Sequence, residues 1–531
     1  MKFIFIFSSL LLSYSLVAQF GIIKKPTEEA FKGVTLFQTN TSKIAYLIDN
    51  YGDIRHQWEG TYTPGVALSL LENRNLLRTG FVPDGFRYAG GQGGALEIVS
   101  WDGTVEWSYI ISSAKEKLHH DVIALPNGNI LATVWEVKST DEAIAIGRKP
   151  ELLDSAIWPD KIIELEPIGS QQARIVWEWK VWDHLIQDFD DTKPNFGVVS
   201  ENPSKIDANY GDTNPDWNHI NGLAYNPELD QIILSVPTFD ELWIIDHSTT
   251  TEEASSNTGG RYGKGGQILY RWGNPYAYKK GLESDKKLFY QHNPTWLKED
   301  DKWKILFFNN GRNRPGERYS SVEKIELPIN ELGYYAIENG VFNPKNSEIT
   351  YQTDEPSDFF APFVSGAQIL ANNNILITNG VVSKLFEINS NNEIVWEYNI
   401  PLNSMGEVSC LEDSTSSPDI LFRSFKYNYQ YSGLINLTNQ GQLGLSCSTI
   451  LGSTINQPSV VIAYTNKILK FKAETPIDQI LVYSLNGKVI KDVSDVNNNN
   501  SELLFDHRSG IFLAKIVLTS GQVVSTKFIV N

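Results

Sequence analysis

Residues 95–109 read ALEIVSWDGTVEWSY, an apolar strand, an Asp-Gly turn and a second strand carrying Trp107. Alternation with a period of two on either side of such a turn is the signature of a β-hairpin. The unit precedes itself as AYLIDNYGDIRHQWEG (45–60) and returns as KIIELEPIGSQQARIVWEWKV (161–181) and KLFEINSNNEIVWEYNI (384–400). GGQILYRWG (265–273) keeps only part of it. A different hairpin follows each Trp hairpin: VALSLLENRNLLRTG (66–80), DVIALPNGNILATVW (121–135), GLAYNPELDQIILSV (222–236), PTWLKEDDKWKILFFN (294–309) and GAQILANNNILITNG (366–380).

Two hairpins make a four-stranded sheet, and a fixed order of such pairs is the repeat of a β-propeller rather than of a sandwich array. Five copies are clear, and a degenerate sixth ends in DILFRSFKYNYQYSGLINL (419–437). The expected fold is therefore all-β: a six-bladed β-propeller over residues 30–445. A Ser/Thr-rich joint, TILGSTINQPS (449–459), precedes the short strands VVIAY, ILKFKA, QILVYSLNGKVIKDV and GIFLAKIVLTSGQVVSTKFIVN. These predict a small C-terminal β-sandwich domain over residues 452–531.

With 531 residues, 39 Gly and 23 Pro, the chain is long enough for two or three folded domains rich in turns. A net charge of −18 disfavours nucleic acid as a partner. Residues 1–18 combine Lys2, an apolar run from Phe3 to Leu12 and small residues up to Ala18, the pattern of a cleaved signal peptide. No later stretch reaches the length of a membrane span, so no transmembrane anchor is expected. The expected location is secreted or at the cell surface, after export through the periplasm. Cys410 and Cys447 are the only cysteines, and spacing alone leaves open whether they pair.

The chain has eight histidines, and three copies of the second hairpin open with one: His119-His120-Asp121, Asn218-His219-Ile220-Asn221 and Gln291-His292-Asn293. Counting back from the apolar residues of each copy puts them in register to within one residue. Equivalent positions in successive propeller blades form a ring, and the start of an inner strand faces the central channel. Three blades therefore direct imidazole toward one small volume. Imidazole serves as nucleophile, general base, metal ligand or donor to an anion. His56, His184, His247 and His507 fall outside this register. Positive charge for an anionic ligand is available from Arg271, in GGRYGKGGQILYRWG, and from Arg312 and Arg314, in NNGRNRPGERYSS.

Taken together, LHHDVIALPNGNIL, DWNHINGLAYNPELDQIILSV, WIIDHSTTTEEA, GGQILYRWGNPYAY and LFYQHNPTWL resemble the bacterial arylsulfate sulfotransferases, with the resemblance running from about Gly33 to Leu434. The resemblance implies a six-bladed propeller that moves a sulfuryl group from an aryl sulfate to a phenol, by a ping-pong route through a sulfohistidine, without the nucleotide sulfate donor or any other cofactor. It implies His292 as nucleophile, His219 as a second channel histidine and one of His119 and His120, with His120 preferred, as the third. Pro237 stands where the well-studied members have an arginine, and Arg271, Arg312 and Arg314 are the candidates to replace it. The repeat also begins almost directly after the signal sequence, without the separate N-terminal β domain of those members. Val482–Lys488, Ser509–Phe512 and Lys527–Val530 resemble the C-terminal sorting domains of the type IX secretion system, which implies that machinery as a partner.

Two other functions fit the same residues. A non-catalytic propeller would hold an aromatic or anionic ligand in its channel, and a metal-dependent hydrolase would use the three histidines as ligands. Turnover of a sulfate ester separates the enzyme from the binding protein, and turnover that survives chelators excludes the hydrolase. The long insertions at 138–160 and 182–216 either cover the channel mouth or decorate the surface.

Overall fold

The hairpins read from the sequence form, except that GGQILYRWG supplies only the strand Tyr270–Trp272, and the pairing between hairpins is shifted by half a repeat. The computed structural model describes residues 20–85, 89–413, 415–445, 447, 460–465, 467–484, 489–507, 510–520 and 523–530. The signal-peptide segment, residues 1–18, lies outside the described residues. Contacts divide the chain into two units, residues 1–445 and 446–531.

In the first unit each second-type hairpin is hydrogen-bonded to the strand pair that comes after it, which is a Trp hairpin except after 294–309, where Ser321–Glu326 and Glu348–Tyr351 carry no tryptophan. The sheet holding Trp107 joins Pro64–Leu70, Leu76–Phe81, Gly94–Val99 and Val105–Ile110 in that order. Next comes Glu116–Ala124, Ile130–Glu136, Asp160–Ile168 and Gln172–Lys180. A third sheet joins Gly222–Asn226, Gln231–Val236, Glu241–Asp246 and Tyr270–Trp272. A fourth joins His292–Glu299, Lys302–Asn309, Ser321–Glu326 and Glu348–Tyr351. The fifth runs through Gly366–Ile369, Ile375–Asn379, Lys384–Ile388 and Ile394–Asn399, with Gly21–Lys24 added at its edge.

The first Trp hairpin, Ile44–Asp49 with Ile54–Glu59, has no second-type hairpin before it. It pairs instead with Gly33–Phe37 and, through that strand, with Phe425–Asn428 from the far end of the unit. The degenerate repeat at 419–437 thus supplies one strand to the sheet of the first Trp hairpin rather than a sheet of its own. Joining the two ends of the unit in one sheet removes two free edges.

The repeated tryptophan has a physical role. In four of its five copies the indole N–H donates toward the following sheet: Trp107 to Gln172 O at 2.8 Å, Trp177 to Thr249 Oγ1 at 3.0 Å, Trp272 to Pro344 O at 2.7 Å and Trp396 to Asn50 O at 2.8 Å. The last of these runs from the fifth sheet described to the sheet of the chain ends, so the arrangement is closed and propeller-like. The apolar core is correspondingly divided into layers between neighbouring sheets, such as Trp177, Ile162, Ile232 and Trp243 in one, and Trp107, Leu77, Ala132 and Ile163 in another. Burying each large side chain contributes roughly 1.5–3 kcal/mol.

The inner end of each sheet is its first strand. Asp121 Oδ2 accepts from Leu223 N at 3.0 Å, and Asn293 Oδ1 accepts from Ala367 N at 2.9 Å. The polar residue after His120 and after His292 therefore latches one inner strand to the next, and after His219 this falls to Asn221, whose amide donates to Gln291 O at 2.8 Å. In the second unit, the long strand Ile468–Ser484 pairs with four others and carries a core of Leu469, Phe471, Ile477, Ile480 and Val482. Leu485–Lys488 and Ser509, within the sorting-domain resemblance, lie outside the described residues. Cys410 and Cys447 are both disulfide-bonded. Among the described residues no helix is long and apolar enough to cross a membrane.

Candidate active site

The three inner strands bring His120, His219 and His292 to one cavity of about 310 Å³, lined also by Tyr290, Arg312, Phe363, Val364, Ile420 and Phe422. The His120 and His219 rings stand 4.4 Å apart at 72°, and Phe422 lies 6.1 Å from the His292 ring. A second cavity of about 380 Å³ shares Gly90, His219, Tyr290 and Arg312 with the first and extends over Asp212, Asn214, Asp216, Trp217 and Pro237. The end of the insertion at 182–216 therefore lines the outer cavity.

His120, His219, Tyr290 and Asn293 all have φ between +45° and +65°. Side chains other than glycine rarely hold this conformation, and the strain persists only where the surroundings enforce it. Here it turns the histidines at the start of each inner strand toward the cavity. Gly91 completes the fit, since a Cβ at this position (φ +70°) would stand 2.1 Å from His120 Nε2.

Each imidazole has a distinct environment. His292 Nδ1 donates to Asn310 Oδ1 at 2.7 Å. The Asn310 amide nitrogen donates to the carbonyls of Ala361 at 2.7 Å and Val364 at 2.8 Å, which fixes the amide with its oxygen toward His292. The proton of neutral His292 is therefore on Nδ1, and Nε2 keeps its lone pair. Burial is the main cause that brings its pKa down to about 3, against the opposing Asn310 hydrogen bond. His219 is the opposite case. Burial pushes its pKa down, but the charge and short hydrogen bond of Asp216 outweigh burial and leave it above the ordinary histidine value. His120 is pushed well below that value by burial and by the neighbouring His219.

His119 does not line the cavity. It is buried behind His120, stacked on Trp135 at 4.1 Å and 1°, with Nδ1 2.9 Å from His120 Nδ1. Its Nε2 stands 2.8 Å from Asp160 Oδ1. The alternative between His119 and His120 is thus resolved by position, with His120 at the cavity.

The arginines separate. Arg312 lines both cavities, with its guanidinium 4.6 Å from the Tyr290 ring. Arg271 is fully buried away from the histidines, paired with Glu241, bonded to Lys205 O at 2.9 Å and stacked 4.2 Å from Tyr278. It holds the third sheet to the insertion and is not at the cavity. Arg314 is also elsewhere, 4.0 Å from the Tyr319 ring and bonded to its hydroxyl at 3.1 Å. Of the three candidates to replace the arginine at the Pro237 position, Arg312 alone shares a cavity with Pro237.

Several site residues carry no signal in the sequence: Asn310, Asp216, Asp160, Tyr290 and Arg423. Arg423 forms a two-toothed pair with Asp121, whose carboxylate also takes Leu223 N–H, so one buried pair ties the chain-end segment to two inner strands. Asn310 and Asp216 lie in the quoted segments NNGRNRPGERYSS and DWNHINGLAYNPELDQIILSV, but nothing in their spacing marks them as partners of a particular histidine.

A family model described as arylsulfotransferase (ASST) matches residues 21–409. No curated protein matches the chain. Among solved structures, a protein of unknown function from Bacteroides caccae is 10% identical, covers 74% of this chain and 98% of its own, and superposes with a TM-score of 0.39. A periplasmic gluconolactonase of Pseudomonas aeruginosa is 11% identical, covers 76% and 97%, and gives 0.33.

Proposed function

The chain belongs to the arylsulfotransferase family, and from that premise we propose that it transfers a sulfuryl group from an aryl sulfate to a phenolic acceptor through a sulfohistidine on His292, independently of the nucleotide sulfate donor. The observation that carries this is the tautomer of His292. Asn310 holds the ring proton on Nδ1, and burial keeps the ring neutral, so Nε2 is a nucleophile across the working pH range. A sulfate monoester bears its charge on the oxygens around sulfur. His219, whose charged form Asp216 favours, and Arg312 supply positive charge beside the same cavity. His120, neutral and facing His219, is the group placed to hand a proton to the leaving phenolate and to take one from the acceptor.

The apolar walls Phe363, Val364, Ile420 and Phe422 suit an aryl ring. Arg312 takes the electrostatic place that Pro237 leaves empty. In this reading each four- or five-stranded sheet of the first unit is one blade of a six-bladed propeller, and the second unit is a β-sandwich that directs the chain to the type IX secretion machinery. Residues 1–18 act as the signal peptide, so the enzyme works outside the cytoplasm, secreted or on the cell surface.

The test uses 4-nitrophenyl sulfate with and without phenol, on the wild type and on His292→Ala. Phenol-stimulated nitrophenol release that the variant loses supports the proposal. Release that needs no phenol indicates a sulfatase, and absence of release by folded protein with a panel of donors indicates a binding propeller.

A further inference from the structure

His120 at the cavity wall ends a line of three titratable groups, with His119 and Asp160 behind it. Asp160 Oδ2 accepts from Ile220 N at 2.7 Å, Asp160 Oδ1 faces His119 Nε2 at 2.8 Å, and His119 Nδ1 meets His120 Nδ1 at 2.9 Å. The carboxylate approaches the His119 ring off the N–H direction. Such contacts commonly tighten only when substrate is bound. All three residues are at most 3% exposed, and the stacked Trp135 ring holds His119 in its plane.

Two ring nitrogens facing each other at hydrogen-bond distance share one proton, because one must donate and the other accept. The proton position on His119 therefore dictates that on His120. With Asp160 ionised, His119 carries its proton on Nε2, His120 carries its own on Nδ1, and His120 Nε2 offers the cavity a lone pair. With Asp160 protonated, His119 carries its proton on Nδ1, and His120 Nε2 offers the cavity a proton.

We propose that Asp160 and His119 are positioning residues of a proton relay that switches His120 between acid and base in the two halves of the sulfuryl transfer. The inference rests on the sulfuryl-transfer reading above and adds the source and store of its proton. In the donor half, the S–O bond to the phenolate breaks as the bond from His292 Nε2 to sulfur forms. The phenolate oxygen takes the proton of His120 Nε2, His120 Nδ1 takes that of His119 Nδ1, and His119 Nε2 takes that of Asp160. In the acceptor half, the acceptor oxygen takes the sulfuryl group from His292 while its proton enters at His120 Nε2 and the shift reverses. One proton leaves and one returns, so the cycle closes without exchange with bulk water.

Burial, reinforced by the charge of Asp216, holds the Asp160 carboxyl well above the usual carboxylate range, which suits a group that must retain a proton between half-reactions. Asp160 is faced by Asp216, His219 and His119, and His120 by His119, His219 and His292. All of these enter its pH dependence.

Two measurements test the relay. Ring ¹⁵N spectra of selectively labelled protein, which has only eight histidines, report the tautomers without any turnover. The relay predicts complementary protons, Nε2–H on His119 with Nδ1–H on His120 or the reverse, and a shift of the His120 signals in Asp160→Asn. Both rings protonated at Nε2 alone, or His120 signals untouched by the substitution, would overturn it. Turnover supplies the second reading. Asp160→Asn is expected to slow transfer from phenyl sulfate, a poor leaving group, by about 100-fold or more, and from 4-nitrophenyl sulfate by less than about 5-fold. An equal loss with both donors would mean a structural role only and would contradict the relay. A wild type inactive on every donor would sink the sulfuryl-transfer reading instead, with the tautomers still deciding on the hydrogen-bonded chain.

Discussion

Asn310 Oδ1 accepts from His292 Nδ1 at 2.7 Å, while the Asn310 amide nitrogen is committed to the carbonyls of Ala361 and Val364. Turned over, the amide would set its oxygen against the carbonyls of Ala361 and Val364, so it dictates the ring tautomer. Asn310→Ala frees that choice. It should lower kcat for 4-nitrophenyl sulfate by about 10- to 100-fold with little change in KM, and destabilise the fold by about 1–3 kcal/mol through the lost hydrogen bonds. Steady-state kinetics and thermal unfolding check the two effects separately.

His219 is held above the ordinary histidine value by Asp216. A raised pKa means the imidazolium is present at low pH and lost as pH rises through that value. The alkaline limb of kcat/KM should therefore move to lower pH in Asp216→Asn, by one unit or more. An unmoved alkaline limb would remove His219 from the account as a cation.

Gly91 permits the close approach of His120, and its φ of +70° disfavours any side chain. Gly91→Ala should express as folded protein, with the far-ultraviolet circular dichroism of the wild type, but lose at least about 100-fold in kcat/KM because His120 is displaced.

Away from the cavity, His247 bridges two sheets, with Nδ1 2.7 Å from Asp230 Oδ1 and Nε2 2.9 Å from Glu164 Oε2. Burial opposes its charge, but hydrogen bonds to both carboxylates outweigh burial and raise its pKa to about 9. The stability this contributes, on the order of 2–3 kcal/mol, is complete below the unfolded value near 6.5 and is lost as pH rises through about 9. Melting temperatures between those pH values should fall in the wild type and flatten in His247→Gln.

The strands were legible in the sequence because period-two alternation and tight turns are local signals, and the register of His120, His219 and His292 followed from the repeat. The phase of the repeat was not. Whether a Trp hairpin pairs with the hairpin before or after it depends on Phe425–Asn428 returning to Gly33–Phe37, a contact that no local pattern encodes. His247 looked ordinary for the same reason, since Glu164 lies 83 residues away. Arg271 reads as a free cation in a Gly-rich connection, yet Glu241 claims it. Arg423 and Asp160 stayed hidden because their partners, Asp121 and His119, belong to a different part of the chain.

The central claim is covalent sulfuryl transfer to one nitrogen, and trapping that intermediate tests it most directly. The protein would be mixed with 4-nitrophenyl sulfate without acceptor, quenched in alkali, digested and mapped by mass spectrometry. The account predicts a nitrophenol burst that matches the enzyme concentration, with the sulfuryl group on the peptide containing His292 and on no other histidine. A label on a different residue, or steady transfer to phenol with neither burst nor label, would contradict it.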